Sequence, residues 1–163
     1  MHVVINSNKG SIKLELDKEK APLTVENFLQ YVNSKHFDGT IFHRVIGGFM
    51  IQGGGFDAEM KQRSTQKPIK IESNNGLKNS RGSIAMARTN DPNSATAQFF
   101  INLSDNEFLN YQSDSNPGYA VFGRVIEGLE VVDEIAKTKT GNKGMHADVP
   151  LQPIVLETVT TVD

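Results

Sequence analysis

Short apolar segments separated by turn-forming residues are the feature of this sequence that most limits its fold. Near the start, two runs alternate apolar with polar residues, and their apolar members are Val3, Ile5, Ile12, Leu14 and Leu16. Alternation with a period of two is typical of strands that bury one face, and Lys9-Gly10 between the runs predicts a hairpin. Further strands are predicted at 40–45, 49–53, 69–71, 82–87, 98–102, 121–126 and 154–159.

Only two segments show the helical period. In the first, apolar residues fall at i, i+3, i+4 and i+7: Val25, Phe28, Leu29 and Val32. Pro22 suits the first turn of this helix, which is predicted to end near 33–34. The second helix is predicted at 129–136, and 138–150 is predicted to be a loop. Many short strands with two helices favour a closed antiparallel barrel, because closure removes exposed strand edges.

Composition excludes several classes of function. The chain of 163 residues fits one domain with a sizeable core, and we predict a single domain over 1–163. A net charge of −2 gives no electrostatic reason to expect binding to nucleic acid or to an anionic membrane. The absence of cysteine excludes disulfides and thiol chemistry. The start of the chain lacks the pattern of a secretory signal, and no apolar run approaches the ~20 residues of a membrane helix.

The segment 42–56 carries the strongest indication of a binding site. It places one cation, Arg44, and one amide, Gln52, among large apolar residues: Phe42, Phe49, Met50 and Phe56. An apolar lining with a few fixed polar groups is typical of a small concave site. If 49–52 is extended, Met50 and Gln52 share one face, while Phe49 and Ile51 share the other.

Two sequence blocks in this chain resemble the signature of the cyclophilins, the peptidyl-prolyl cis/trans isomerases. The first block is Phe42-His43-Arg44-Val45-Ile46 with Gly48-Phe49-Met50 and Gln52-Gly53-Gly54, and the second is Met86-Ala87-Arg88 with Ser94-Ala95-Thr96-Ala97-Gln98-Phe99-Phe100-Ile101-Asn102. The resemblance is strongest to bacterial cytoplasmic members. It implies a mainly β fold, a closed eight-stranded antiparallel barrel capped by two α-helices, with a substrate groove on its outer surface. It also implies a cytoplasmic location.

Catalysis of X-Pro isomerisation needs a hydrogen-bond donor rather than a nucleophile. Rotation about the peptide bond takes the nitrogen lone pair out of conjugation, so the nitrogen can then accept a hydrogen bond. Arg44 is the candidate donor, because its guanidinium stays charged and offers several fixed N–H groups. Gln52 is expected to hydrogen-bond the substrate backbone near the rotating bond. The reaction so described needs no metal and no cofactor.

The resemblance implies roles for nine further residues. It places the proline pocket at Phe49, Met50, Phe100 and Leu109, and peptide pairing on the backbone of Ala87 and Arg88. Gln98 is expected either to support Arg44 or to line the adjoining subsite. Phe108 stands where many eukaryotic members carry tryptophan, Tyr119 where they often carry histidine, and Arg88 where asparagine is common. Phe108 and Tyr119 are therefore expected to reshape the pocket.

His43 lies beside Arg44 and could be taken for a catalytic base. Neighbours on an extended strand point to opposite faces, so His43 is expected to point away from the groove. The expected partners are proline-containing peptides and unfolded or flexible protein segments. Cyclosporin is expected to bind weakly, and the protein to be a monomer. A non-catalytic proline-peptide-binding module or chaperone remains an alternative, and a barrel enclosing an apolar ligand is a third interpretation.

Overall fold

The structure is a computed structural model that describes residues 1–162. These residues form ten strands, two α-helices and a short 3-10 helix at Glu107–Leu109. The strands are β1 (His2–Ser7), β2 (Gly10–Leu16), β3 (Arg44–Ile46), β4 (Met50–Gly53), β5 (Ser83–Met86), β6 (Phe99–Asn102), β7 (Val121–Glu127), β8 (Thr140–Lys143), β9 (His146–Pro150) and β10 (Leu156–Val162). The helices are α1 (Pro22–Asn33) and α2 (Leu129–Ala136). Neither helix in this described part has the length and apolarity that a membrane crossing requires.

Eight strands form one antiparallel sheet in the order β10-β1-β2-β7-β5-β6-β4-β3. The sheet curls strongly, but the predicted closed barrel is wrong, because no ladder joins β3 to β10 within residues 1–162. The gap is spanned by one isolated bridge, Ile41 to Val155, and by backbone hydrogen bonds of Gly39, Thr40 and Phe42 with 154–156. The chain before β3 divides its hydrogen bonds, since Ile41 N–H donates to Phe56 while Phe42 N–H donates to Ile154. These hydrogen bonds end before Arg44, so β3 itself forms no ladder with β10 within residues 1–162.

Three element predictions from the sequence differ from the structure. The predicted strand at 69–71 is a loop, where Ile69 N–H donates to Ala95 and Ile71 N–H to the Asn93 side chain. The predicted loop at 138–150 contains the β8–β9 hairpin. This hairpin is half-buried at most over much of its length, so it lacks the apolar alternation on which the prediction depended. The strand predicted at 40–45 begins only at Arg44, because Thr40 and Ile41 form isolated bridges to different partners, Asp57 and Val155.

The sheet separates two apolar clusters, and this separation positions the site. Successive strand residues point to opposite faces, so β6 directs Phe99 and Ile101 into the interior and Phe100 outward. Inside, Phe28 of α1 packs against Phe37 and Phe122, with ring centroids 5.1 Å apart in both pairs. Outside, a smaller cluster covers the other face of the sheet and contains Met50, Ala85, Phe100, Leu109 and Val121.

Candidate active site

Cross-strand pairing assembles the site from residues that are far apart in sequence. Arg44 on β3 is the direct partner of Gln52 on β4, and Gln52 is the partner of Phe100 on β6. Phe100 in turn lies opposite Ala85 on β5. Directly opposed residues project from the same face of a sheet, so this row places a cation, an amide and an aromatic ring side by side on the outer surface.

A groove with a volume of about 140 Å³ lies over this row. Its lining is Arg44, Phe49, Met50, Gln52, Ala87, Arg88, Phe100, Leu109 and Tyr119. The structure therefore brings together nine of the eleven predicted site residues. Larger concavities exist on the surface, including one of about 610 Å³ beside Glu15 and Arg124. We place the site in the smaller groove because it joins aromatic and aliphatic walls to a few convergent polar groups.

Phe49 reaches the groove by a route that strand alternation does not predict. The extended conformation assumed for 49–52 starts only at Met50, and Phe49 occupies the preceding turn. In that turn Phe49 N–H donates to Ile46 C=O at 3.0 Å. The side chain therefore packs with the outer cluster, whereas Ile51 is buried in the interior.

Arg44 is exposed and is held from one side only. Its Nη1 donates to Gln52 Oε1 at 3.4 Å, and Gln52 Nε2 donates to Gln98 Oε1 at 3.0 Å. Within residues 1–162 no carboxylate forms an ion pair with Arg44. Most of its N–H groups are thus available to a ligand. Of the two roles considered for Gln98, the geometry favours support of Arg44, transmitted through Gln52.

The glycine cluster that follows β4 explains how Gln98 reaches Gln52. A Cβ atom on Gly55 would lie 2.5 Å from Cγ and Nε2 of Gln98. A separation below 3 Å is a steric clash, so the Gln98 side chain occupies space that only glycine leaves open. The sequence shows this cluster clearly, but the contact that requires Gly55 becomes visible only in the structure.

Arg88 contributes its side chain to the groove, whereas the family resemblance implied only that its backbone pairs with the peptide. Its Nε and Nη2 donate to Gly118 C=O at 3.1 and 2.7 Å, and its Nη1 donates to Thr89 C=O at 2.8 Å. Its Cζ lies 4.5 Å from the centre of the Tyr119 ring, a cation–π contact. Tyr119 meets the Phe100 ring edge to face, with centroids 5.6 Å apart. Arg88 thereby fixes one wall of the pocket.

Phe108 and Leu109 lie in the short 3-10 helix and have different surroundings. Leu109 is buried and lines the groove. Phe108 is 63% exposed and does not line it. Its ring stacks on Phe49, with centroids 5.8 Å apart and planes inclined by 25°. Phe108 therefore extends the apolar surface outward from the rim.

A buried asparagine network behind the groove was not predicted from the sequence. Asn102 Nδ2 donates to Asn79 Oδ1 at 3.0 Å, and Asn106 Nδ2 donates to Asn102 Oδ1 at 2.8 Å. Asn106 also bonds Phe49 C=O at 2.9 Å, and Asn79 bonds Leu109 C=O at 3.0 Å. The network ties both rims of the groove to β6. The signal in the sequence is the position of Asn102, two residues beyond Phe100 and so on the same strand face. Its full burial is visible only in the structure.

His43 lies outside the groove, in agreement with its expected orientation. It is 5% exposed and packs on Phe56, with ring centroids 4.6 Å apart. Its Nδ1 has no hydrogen-bond partner among the described residues. Burial, with smaller contributions from His146 and Arg44, lowers the pKa of His43 to about 4. The imidazole is therefore neutral near pH 7 and is not placed to exchange protons with a ligand in the groove.

Comparisons with known proteins agree on one family. The sequence model of the family described as "Cyclophilin type peptidyl-prolyl cis-trans isomerase/CLD" matches residues 1–161. The chain is 60% identical to peptidyl-prolyl cis-trans isomerase cyp18 of Streptomyces antibioticus over 157 residues, which cover 95% of each chain. It is 54% identical to peptidyl-prolyl cis-trans isomerase B of Escherichia coli (strain K12) over 160 residues, which cover 97% of this chain and 98% of that one.

A solved structure is similar over the whole chain. A cyclophilin-type peptidyl-prolyl cis-trans isomerase of Cryptosporidium parvum, crystallised in the presence of the dipeptide Ala-Pro, superposes with a TM-score of 0.80 at 28% sequence identity. The alignment covers 100% of this chain and 99% of that one.

Proposed function

The chain belongs to the cyclophilin family of peptidyl-prolyl cis/trans isomerases, and we propose that Arg44 is the group with which it catalyses rotation about X-Pro bonds. The substrates are exposed or unfolded protein segments, so the activity assists protein folding. One observation carries the assignment of Arg44. Its guanidinium, which has no carboxylate partner within residues 1–162, lies directly beside an apolar groove large enough for a small side chain.

The chemistry follows from the electronic structure of the amide. The planar X-Pro bond resists rotation by ~18–20 kcal/mol because the nitrogen lone pair is conjugated with the carbonyl, and the two isomers exchange over roughly 10–100 s. In the twisted transition state the nitrogen is pyramidal and can accept a hydrogen bond. An Arg44 N–H placed there stabilises the transition state more than the planar substrate, which is the requirement for catalysis.

One hydrogen bond does not account for the whole effect. Acceleration by about five decades requires roughly 7 kcal/mol, and a charge-assisted hydrogen bond supplies ~1.5–3 kcal/mol. The groove must supply the remainder by holding the twisted form in apolar, partly dry surroundings. Met50, Phe100 and Leu109 are buried side chains suited to receive the proline ring.

The other residues have supporting roles in this proposal. Gln52 bonds the substrate backbone near the rotating amide and holds Arg44, and Gln98 fixes the orientation of Gln52. The backbone of Ala87 and Arg88, which follows β5, pairs with the extended peptide as an added strand would, through groups other than Ala87 N–H, which donates to Gln98 C=O. Phe49 and Tyr119 complete the apolar walls, and Phe108 extends the apolar surface at the rim.

The partners follow from the same site. The Cryptosporidium neighbour was crystallised in the presence of Ala-Pro, which supports proline-containing peptides as ligands of this groove. The protein acts as a monomeric single domain over 1–163 in the bacterial cytoplasm, without cofactor, metal, nucleic acid or membrane. The similarity to proteins of Streptomyces antibioticus and Escherichia coli supports the bacterial part of this proposal.

Exchange spectroscopy tests the activity. NMR line shapes or exchange cross-peaks of an Ala-Pro peptide should show cis/trans interconversion accelerated by catalytic amounts of protein. Peptide binding without acceleration would instead identify a non-catalytic proline-binding module. If the protein neither binds the peptide nor accelerates its interconversion, the assignment is refuted.

We expect cyclosporin to inhibit this protein weakly. A tryptophan indole can donate a hydrogen bond to the inhibitor, but the phenylalanine at Phe108 has no donor. An inhibitor carbonyl left unpaired costs ~1–3 kcal/mol, or roughly one to two decades in affinity. Because Phe108 lies on the rim outside the groove, Phe108→Trp should tighten inhibition with little change in turnover. Low-nanomolar inhibition of the unmodified protein in an isomerase titration would contradict this.

A further inference from the structure

The groove has a positive charge although the chain as a whole is acidic. Two of the lining residues, Arg44 and Arg88, are cations, and none of the lining residues within 1–162 is an Asp or Glu. The formal net charge of the protein is −2. The charge at the groove is thus opposite in sign to the net charge of the protein, and Arg88 contributes half of it.

Arg88 is anchored but not neutralised. Its contacts to Gly118 and Thr89 are to carbonyl oxygens, and these occupy three of the five N–H groups of a guanidinium. Two N–H groups remain, and no carboxylate within residues 1–162 pairs with Arg88. Stacking on Tyr119 restricts the side chain further. A cation fixed in advance loses little conformational entropy when it binds an anion.

The carboxylates of Asp91 and Glu72 accept hydrogen bonds from groups other than Arg88. Asp91 accepts a hydrogen bond from Asn93 N–H at 2.9 Å. Glu72 accepts three hydrogen bonds at the start of α1, from Leu23 N–H and from the N–H and hydroxyl of Thr24. On the side of Arg88 away from the groove, Lys70 lines a small adjoining cavity and adds a further positive charge. No acid within residues 1–162 therefore competes with an external anion for direct pairing with Arg88.

Arg44 and Arg88 lie on opposite sides of the pocket that holds the proline ring. Strands β4 and β6 separate β3, which carries Arg44, from β5, which Arg88 follows. Three interstrand steps amount to roughly 14 Å of sheet at ~4.8 Å per step. A proline midway between them lies ~7 Å from the backbone at Arg88, about two residues of an extended chain at ~3.3 Å each. The side chains of Arg88 and of a residue adjacent to the proline together span this distance.

We propose that Arg88 is a specificity-determining residue that selects X-Pro segments with an acidic side chain next to the proline. The proposal rests on the proposed function, since it concerns the substrate of the same groove. Arg44 acts on the rotating amide and remains bonded to Gln52, whereas Arg88 pairs with the neighbouring carboxylate. The pair is partly exposed to solvent, so the expected preference is modest, about three- to fivefold in kcat/KM, and it decreases as salt screens the charges.

The experiment compares matched peptides in the NMR exchange assay. In one series the residue before proline is Glu, Gln or Lys, and in a second series the residue after proline is varied in the same way. The unmodified protein should turn over the Glu peptide faster than the Gln peptide, and the Lys peptide slowest, in at least one series. Arg88→Gln should remove this order, and Arg88→Lys should keep it. Arg124→Gln, which removes a cation paired with Glu15 away from the groove, should also keep it.

Two results would overturn the proposal. One is equal kcat/KM for the three peptides in both series with the unmodified protein. The other is an Arg88→Gln variant that lowers all rates by the same factor, because that is the result expected if Arg88 only positions Tyr119. If the protein accelerates no peptide, the proposed function fails, and peptide affinities from NMR titration still test whether Arg88 selects acidic residues.

Discussion

Two neighbouring residues, His43 and Arg44, show how the sheet assigns different environments to adjacent side chains. Arg44 is exposed beside the groove, while His43 is buried against Phe56. Residue chemistry alone would make either of them a candidate for proton transfer or hydrogen bonding. The fold decides between them, because burial keeps His43 neutral and away from the ligand.

The lowered pKa of His43 predicts a pH dependence of stability. The folded protein resists protonation of His43 down to about pH 4, whereas an unfolded histidine binds a proton near pH 6.5. The unfolded state therefore binds more protons in this window, and the free energy of unfolding should fall as pH drops from about 6.5 toward 4. At about pH 5 the expected loss from His43 is ~2 kcal/mol.

Urea unfolding at about pH 7 and pH 5 checks this prediction. His36, whose pKa burial also lowers, contributes in the same direction, so the comparison is between the unmodified protein and His43→Phe. The variant should show a smaller loss. NMR titration of the His43 ring in the unmodified protein provides a direct readout, and a pKa near 6.5 would contradict the prediction. Isomerase activity should meanwhile stay nearly flat from about pH 6 to 8, since no histidine exchanges protons with substrate.

Among the elements, the glycine segment at the end of β4 leaves the space in which Gln98 reaches Gln52. The three glycines at 53–55 bring the backbone close to neighbouring groups, and Gly55 in particular lies under Gln98. Strand alternation predicts that Gln52 shares a face with Met50. It does not predict that the orientation of Gln52 depends on a side chain 46 residues later in the sequence.

Gly55→Ala should impair catalysis by displacing Gln98. The added Cβ would overlap Gln98 Cγ and Cδ, at 2.5 and 2.6 Å, so the Gln52–Gln98 hydrogen bond should break. We expect kcat/KM to fall about tenfold, and stability to fall by ~1–3 kcal/mol as is usual for overpacking. Gly47→Ala is the matched control, because its nearest neighbour would be Ala136 O at an ordinary 3.5 Å. Equal activities of the two variants would show that Gln98 has no role.

Elements with a buried face could be predicted from the sequence, and exposed ones could not. The predicted strands at 82–87, 98–102 and 121–126 correspond to β5, β6 and β7, because each contains a run of buried residues: all four residues of β5 and of β6, and the first three of β7. In the β8–β9 hairpin only Val149 and Pro150 are buried, so the hairpin has no such run. The asparagine network was also missed, since a polar residue on a strand predicts an exposed position unless its partners are known.

For the whole molecule, the curvature of the sheet brings distant segments into one groove on its outer face. Spacing in the sequence could group residues 44–52, but it could not join them to Arg88, Phe100 and Tyr119. The family resemblance supplied those positions. It also implied a closed barrel, and this is wrong because no ladder joins β3 to β10 within residues 1–162. The separation of the interior core from the outer cluster predicts that the site can be altered without loss of the fold.

The most direct test of the central claim is the Arg44→Ala variant, assayed for both isomerisation and stability. Loss of a charge-assisted transition-state contact should lower kcat/KM roughly ten- to hundredfold. The free energy of unfolding should change by less than ~0.5 kcal/mol, since Arg44 is exposed and unpaired with any carboxylate in the described chain. Arg44→Lys should also be impaired, because an ammonium does not reproduce the planar set of N–H donors, and Arg124→Ala should behave as the unmodified protein. Near-native turnover by Arg44→Ala would contradict the account.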